Sequence, residues 1–204
     1  MEHKKTILLF GPTASGKSRL SIDIAKKFNG EIINADSMQV YKELKILTAR
    51  PTAKNKEKIK HHLFGFKSVK DKFSTGEWLK LVIKKIKEIK KKNKTPILVG
   101  GTGLYFRALT DGLVKIPKIP FKFRYKIRLL QKKIGQKQFY RKLVKIDPSI
   151  KSKISESDIQ RSLRAYEVKS YTKKSLIDWF KNTKSKFLED EFLKIYIDFP
   201  REDL

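Results

Sequence analysis

Gly11-Pro12-Thr13-Ala14-Ser15-Gly16-Lys17-Ser18 carries the clearest chemistry in this chain. The eight residues satisfy the spacing G-x-x-x-x-G-K-[ST] directly after an apolar run, Ile7-Leu8-Leu9-Phe10, that is short enough for a buried strand. Leu20, Ile24, Ala25 and Phe28 then keep helical spacing. Strand, glycine loop and helix form the context in which backbone N–H groups turn inward on an oxygen-rich anion. Lys17 adds a point charge, the helix N-terminus adds its dipole, and the Ser18 hydroxyl can ligate Mg²⁺. The plain alternative is a glycine-rich turn that only starts a helix. The pattern predicts a P-loop, a nucleotide- or ATP-binding type of cradle for a diphosphate or triphosphate. It leaves open which bond breaks beside that cradle.

Two further segments end in polar residues where a ligand would lie. Glu31 to Ala35 reads as a second strand and delivers Asp36 and Ser37 at its carboxyl end, the edge at which open α/β sheets bind ligands. Pro96 to Val99 reads as a third buried strand and runs into Gly100-Gly101-Thr102-Gly103. Phosphoryl-transfer enzymes usually hold Mg²⁺ with an acidic residue at the end of such a second buried strand. Glycines and a threonine stand there instead, and Asp36 is the only carboxylate placed directly after an early strand. Asp198, flanked by Ile197 and Phe199, reads as structural. The arrangement argues against a standard nucleotidase. The glycines point to close backbone approach to a second substrate, with the Thr102 hydroxyl as a polar handle. Asp36 and Thr102 can each also be read as a cap on the segment that follows.

The elements that must hold these residues follow an α/β alternation. Residues 42–60 are polar and lysine-rich and predict a loop with a short helix, broken at Arg50-Pro51-Thr52. His61 to Phe66 predicts a strand. Thr75-Gly76-Glu77 leads into a helix whose Leu79, Val82, Ile83, Ile86 and Ile89 share one face, with the lysines of 84–94 largely opposite as solvated charge. Leu104 to Leu109 begins another helix. Lys115 to Pro120, with two prolines, interrupts the pattern. The expected organisation is an α/β core over residues 1–114, a basic helical insertion over 115–185, and a return strand within 186–204 that Pro200 ends. The fold class is a P-loop NTPase-like parallel sheet flanked by helices, with a mainly helical inserted region.

Composition sets the wider bounds. The chain of 204 residues has 49 Lys and Arg against 21 Asp and Glu, for a net charge of +28, a field that attracts polyanions. A lysine-biased proteome would produce much of that excess with no ligand in view, so distribution is the better guide. From Lys115 to Lys145 there are twelve basic residues and no acidic one, interleaved with Phe121, Phe123, Tyr125, Phe139 and Tyr140. That segment predicts a nucleic-acid surface. The absence of cysteine rules out disulfides and thiolate metal sites and suits a reducing, cytoplasmic compartment. No apolar run approaches the length of a bilayer span, and Met1 to Lys5 leads straight into the first strand, so neither a membrane segment nor a signal peptide is expected.

The motifs together resemble the tRNA dimethylallyltransferase (tRNA isopentenyltransferase, or IPP transferase) family. The blocks are Gly-Pro-Thr-Ala-Ser-Gly-Lys-Ser at 11–18, Asn-Ala-Asp-Ser-Met-Gln-Val-Tyr at 34–41, Thr-Ala-Arg-Pro-Thr at 48–52 and His-His-Leu-Phe at 61–64. Gly-Gly-Thr-Gly-Leu-Tyr-Phe at 100–106 and Gln-Arg-Ser-Leu-Arg-Ala-Tyr-Glu-Val at 160–168 complete the set, in the family's order along essentially the whole chain.

The resemblance implies that the P-loop grips a leaving group, the diphosphate of dimethylallyl diphosphate, with Mg²⁺ as cofactor and Ser18 as its protein ligand. An exocyclic adenine amine of the adenosine 3′ to the anticodon would attack the allylic carbon, so C–O breaks and P–O does not. Asp36 would be the general base and Thr102 would help to fix the amine. Contacts to the tRNA anticodon stem-loop would fall at Asp36, Ser37, Met38, Gln39, Thr102, Arg124, Gln160, Arg161, Ser162, Leu163 and Arg164. Arg124 lies inside the acid-free basic stretch found from composition alone. Arg161 and Arg164, one turn apart, can both face a backbone or pair with Glu156, Asp158 or Glu167.

The family's chains continue past the position of Leu204 with a helical section that completes the substrate channel. The resemblance therefore implies a C-terminally incomplete chain, a fragment or a truncated form, that is poorly active by itself. A monomer is expected. A P-loop small-molecule kinase, prenylation of free adenine nucleotides and an inactive RNA-binding remnant stay open as alternatives. The basic charge counts against a small acceptor.

Overall fold

Residues 7–10 and 96–99 are continuous apolar runs because they lie inside a parallel sheet covered on both faces. The fold is that of a computed structural model that describes residues 5–48, 50–51, 59–181 and 183–198. Strands β1 (Thr6–Phe10), β2 (Gly30–Asn34), β3 (His61–His62), β4 (Thr95–Gly100) and β5 (Phe192–Tyr196) form one sheet in the order β3-β2-β4-β1-β5. All pairings are parallel, with Ile7 opposite Ile97, Gly30 opposite Thr95, Ile32 opposite His61 and Thr6 opposite Phe192. β2 and β4 are buried throughout, whereas β5 at the edge exposes Leu193 and Tyr196.

Side-chain alternation sends the two sets of apolar residues to opposite faces. Leu8, Ile33 and Leu98 pack against helix α2 (Thr75–Lys90), through Trp78, Val82, Ile86 and Ile89, and against α3 (Gly103–Thr110), through Tyr105, Phe106 and Leu109. Ile7, Leu9, Ile32, Ile97 and Val99 pack against α1 (Lys17–Lys27). α2 starts at a capping box in which Ser74 and Glu77 satisfy each other's backbone N–H groups.

The chain divides into two compact units, Met1–Gly112 with Ser185–Leu204 and Leu113–Lys184. The second is helical, with α4 (Phe121–Ile146), α5 (Ile159–Thr172) and α6 (Leu176–Lys181). Its core gathers Tyr140, Leu143, Ile150, Ala165, Val168 and Leu176, with a smaller cluster of Ile127, Phe139 and Leu163. α4 breaks at Gly135, whose φ of 75° and ψ of 164° leave helical space, so the segment is two helices in series.

Several sequence expectations change. The strand predicted over His61–Phe66 is only two residues long, because Leu63 and Gly65 both take positive φ, at 62° and 55°, and turn the chain. Of the helically spaced Leu20, Ile24, Ala25 and Phe28, Ala25 is buried with Ile24 beside it, whereas Leu20 and Phe28 are exposed and Ser21 and Ile22 join the packed face instead. Asp198, read as structural, is exposed. Phe199 and Pro200, expected to end the last strand, lie outside the described residues, as do Ala49 and Thr52 and most of the short helix expected within 42–60. Among the described residues no helix is long and apolar enough to cross a membrane.

Candidate functional site

The P-loop leaves the carboxyl end of β1, the strand between β4 and β5. Ala14 and Gly16 both adopt positive φ, 69° and 77°, and Gly16 N donates to Ala14 O at 2.9 Å. Gly16 is the N-cap of α1 and brings no side chain to the first turn, so the helix N-terminus is left open to an anion. Lys17 Nζ folds back onto the Pro12 carbonyl and stands 3.4 Å from Ser15 Oγ. Burial holds the Lys17 ammonium below its ordinary value, and the charge of Asp36 opposes that shift. A lysine bonded to its own loop's carbonyl is poised to exchange that partner for a phosphate oxygen.

Asp36 follows β2 into the same cleft. This cavity of about 280 Å³ is lined by Thr13 to Ser18, Asp36, Gln39, His61, Phe64, Gly100 and Gly101, among others. Asp36 Oδ1 accepts the N–H groups of Met38 at 2.8 Å and Gln39 at 3.3 Å. Among the described residues its other oxygen makes no hydrogen bond. The carboxylate thus caps its own turn and keeps one oxygen for a ligand.

Two residues hold this turn in place. Asn34, fully buried, accepts Asp36 N at 2.9 Å and donates to Asp36 O at 2.9 Å and Leu63 O at 3.1 Å. Thr102 Oγ1 accepts Ser37 N at 2.9 Å and lies 3.3 Å from Ser37 Oγ, so it bridges to the Asp36 turn rather than capping α3. Gln39 Nε2 donates to Thr48 O at 2.8 Å, and Met38 is exposed.

Gly100, the last residue of β4, has a local cause. A Cβ on Gly100 would overlap the Ala35 carbonyl and stand 2.7 Å from Asp36 N, so the residue lets the Asp36 turn approach β4. Gly101 and Gly103 are under no such pressure. Gly11 and Pro12 line a second cleft of about 510 Å³, together with Phe10, Gly101, Gly103, Phe106, Tyr196 and Asp198. Tyr196 and Asp198 were not singled out for a site from sequence. They sit at the end of an edge strand whose pairing with β1 has no local signal.

The helical unit holds the remaining candidates. Arg124 Nε lies 3.1 Å from Glu167 Oε2, Arg161 pairs with Asp158 at 3.2 Å, and Arg164 stands 3.7 Å from Glu167. Burial lowers the Arg164 guanidinium from its ordinary value, against the pull of Glu167. Gln160 and Arg161 are exposed, whereas Ser162 and Leu163 are buried, so a ligand at the surface meets this block through Gln160, Arg161 and Arg164. Asn34, Arg128 and Glu167 were missed as site residues. Only the i,i+3 spacing of Arg164 and Glu167 was a signal for the last.

Comparison with known proteins agrees with these motifs. The family model described as IPP transferase matches residues 39–204. A tRNA dimethylallyltransferase of Pelagibacter ubique is 63% identical over 203 residues, which is 100% of this chain and 65% of that protein. A tRNA dimethylallyltransferase of Rickettsia massiliae is 48% identical, over 95% of this chain and 53% of its own. Among solved structures, a eukaryotic dimethylallyltransferase acting on tRNA is similar with a TM-score of 0.79 and 33% identity, over 95% of this chain and 48% of that one. The tRNA delta(2)-isopentenylpyrophosphate transferase of Staphylococcus epidermidis has a TM-score of 0.57 and 35% identity, over 98% and 65% of the two chains. This chain therefore spans between about half and two thirds of the length of these relatives. The chain belongs to the IPP transferase family.

Proposed function

We propose that the chain serves the transfer of a dimethylallyl group from dimethylallyl diphosphate to the exocyclic amine of the adenosine 3′ to the anticodon in tRNA. The observation that carries the reading is the shared cleft: an open anion nest over Thr13–Ser18 and the Asp36 carboxylate line one cavity. A leaving diphosphate and a base for the attacking amine need that proximity.

In this reading the diphosphate sits in the nest, held by backbone N–H groups and by Lys17 once it releases the Pro12 carbonyl. The amine nitrogen forms a bond to the allylic carbon as the C–O bond breaks, and the electron pair leaves on the diphosphate. Asp36 takes the amine proton through the oxygen that its own turn does not use. Thr102, by fixing Ser37, keeps the turn that carries Asp36 in register with the P-loop.

Among the described residues no cluster of His, Asp or Glu side chains gathers to hold a metal ion. The Ser18 hydroxyl, exposed in the same cleft, would be the protein ligand of Mg²⁺. Bound there, Mg²⁺ supplies further neutralisation of the leaving group.

The target base must be turned out of a stacked loop at a cost of about a few kcal/mol, which contacts to the RNA backbone offset. Gln160, Arg161, Arg164 and Arg124 are the groups for those contacts, and a tRNA substrate places the work in the cytoplasm. The chain acts as a monomer.

The test is mass spectrometry of an unmodified anticodon stem-loop RNA after incubation with dimethylallyl diphosphate and Mg²⁺. A five-carbon adduct on adenosine, absent with Asp36→Ala, is expected. Displacement of a bound prenyl diphosphate by ATP, with phosphate rather than prenyl transferred to an acceptor, would overturn the reading.

A further inference from the structure

Three guanidinium groups from two helices meet one buried carboxylate in the helical unit. Glu167 on α5 has a side chain only 1% exposed, flanked by Arg124 and Arg128 from α4 and by Arg164 from its own helix. Arg124 Nε donates to Oε2 at 3.1 Å. Arg128 Nε stands 3.7 Å from Oε1 and Arg164 Nη1 3.7 Å from Oε2. Oε1 is buried without a hydrogen bond. One negative charge cannot neutralise three positive ones, and the surplus rests on side chains that are 40%, 49% and 42% exposed. A buried ion pair needs one arginine, and a core needs none. The acid-free run from Lys115 to Lys145 leaves α4 without a carboxylate of its own, and Asp158 on the α5 side is taken by Arg161.

We infer that Glu167 is a positioning residue that holds Arg124, Arg128 and Arg164 as one anion-binding face, and that the face takes the phosphodiester backbone of an RNA. The inference rests on the RNA-substrate reading above and deepens it, adding Arg128 as a backbone contact and Glu167 as the group that sets the spacing. A surplus of two positive charges spread over an exposed face suits neighbouring phosphates of single charge. Each planar guanidinium carries further N–H donors beyond those near Glu167, enough for bidentate contact. Holding the three side chains in advance removes part of the ordering cost that long cations otherwise meet on binding.

Glu167→Gln separates this role from bulk charge. The substitution makes the chain more positive, so a simple field predicts tighter RNA binding. Positioning predicts weaker binding, because the guanidinium groups lose the carboxylate that gathers them. Binding of a labelled anticodon stem-loop RNA to the chain is read by fluorescence anisotropy between about 50 and 200 mM KCl. Glu167→Gln is expected to bind about fivefold or more weakly near physiological salt, and Arg128→Ala about fivefold more weakly. In each variant the slope of log affinity against log salt should shrink by about one. A merely destabilised fold lowers the active fraction and leaves that slope unchanged.

Equal or tighter binding by Glu167→Gln overturns the positioning role. Should that variant fail to fold, Arg128→Ala at a half-exposed position decides, and an unaltered slope there overturns the inference. An unmutated chain that shows no salt-dependent RNA binding overturns the RNA reading and this site with it. Strong binding by the unmutated chain with unaltered slopes in both variants overturns this site alone.

Discussion

Replacing Asp36 by Asn removes a proton acceptor while leaving its turn intact. Asn keeps a carbonyl oxygen where Asp36 Oδ1 accepts the Met38 and Gln39 amides, at 2.8 and 3.3 Å. The turn is also held by two bonds from Asn34 and one to Thr102. The cost in stability should then be about 1 kcal/mol or less, the difference between a charged and a neutral acceptor. The chemical step should fall far more. A positioned general base contributes about 10²- to 10⁴-fold, or about 3–5 kcal/mol of barrier. Ground-state binding should move the other way, because Asp36 no longer competes with the diphosphate for the charge of Lys17. The assay is single-turnover prenyl transfer to an anticodon stem-loop RNA, followed by mass, with calorimetry for prenyl diphosphate binding and a thermal melt as control. The expected signature is a rate lower by about 10²-fold or more with diphosphate affinity equal or tighter. A rate within about threefold of the unmutated chain, at equal fold stability, would refute the assignment of the base.

Other outcomes follow from the same geometry. Lys17→Met should weaken diphosphate binding about 10- to 100-fold by calorimetry, the worth of one charge-assisted contact, without lowering the melting temperature. Trp78→Ala should cost about 3–5 kcal/mol in denaturant unfolding, because a fully buried ring is lost along with its stack on Tyr105 and its bond to Asn34 O. The buried pair of His62 and Glu31, 2.7 Å apart, should make stability fall with acid in two stages. Burial holds His62 below its ordinary 6.5 although Glu31 opposes the shift, so its contribution is complete above that pH and declines below it. Glu31, lowered from 4.5 by His62 and Lys94 against the cost of its burial, loses its share as pH falls below that value. Melts from neutral to acid pH check both stages, and His62→Gln should remove the first and shrink the second.

What could be read from the sequence was what is local or continuous. β1 and β4 show as near-continuous apolar runs because both faces of a parallel sheet are covered. The P-loop shows because its geometry needs fixed residue types at fixed spacing. Ser21 on the buried face of α1 was missed because it lets the helix approach the sheet by being small, a feature no count of apolar side chains detects. Trp78, the largest fully buried side chain, was overlooked although it heads the buried stripe of α2 with Val82, Ile86 and Ile89. Asn34 secures the Asp36 turn partly by a bond to Leu63, and Arg124 meets Glu167 across 43 positions of sequence. Such pairings arise from packing between elements, and spacing along one element carries no trace of them.

Gly11 stands so close to Ile197 that an added Cβ would lie 2.7 Å from its carbonyl oxygen, and the Ile197 amide bonds Phe10 O at 2.9 Å. A loop made among the first residues therefore borrows a wall from one of the last described. At about 5–20 residues per second, a ribosome delivers that wall roughly ten to forty seconds after the loop has been translated. The first turn of the loop therefore gains its neighbour on the β5 side only late in synthesis, so its packing serves as a timer for the docking of the final strand.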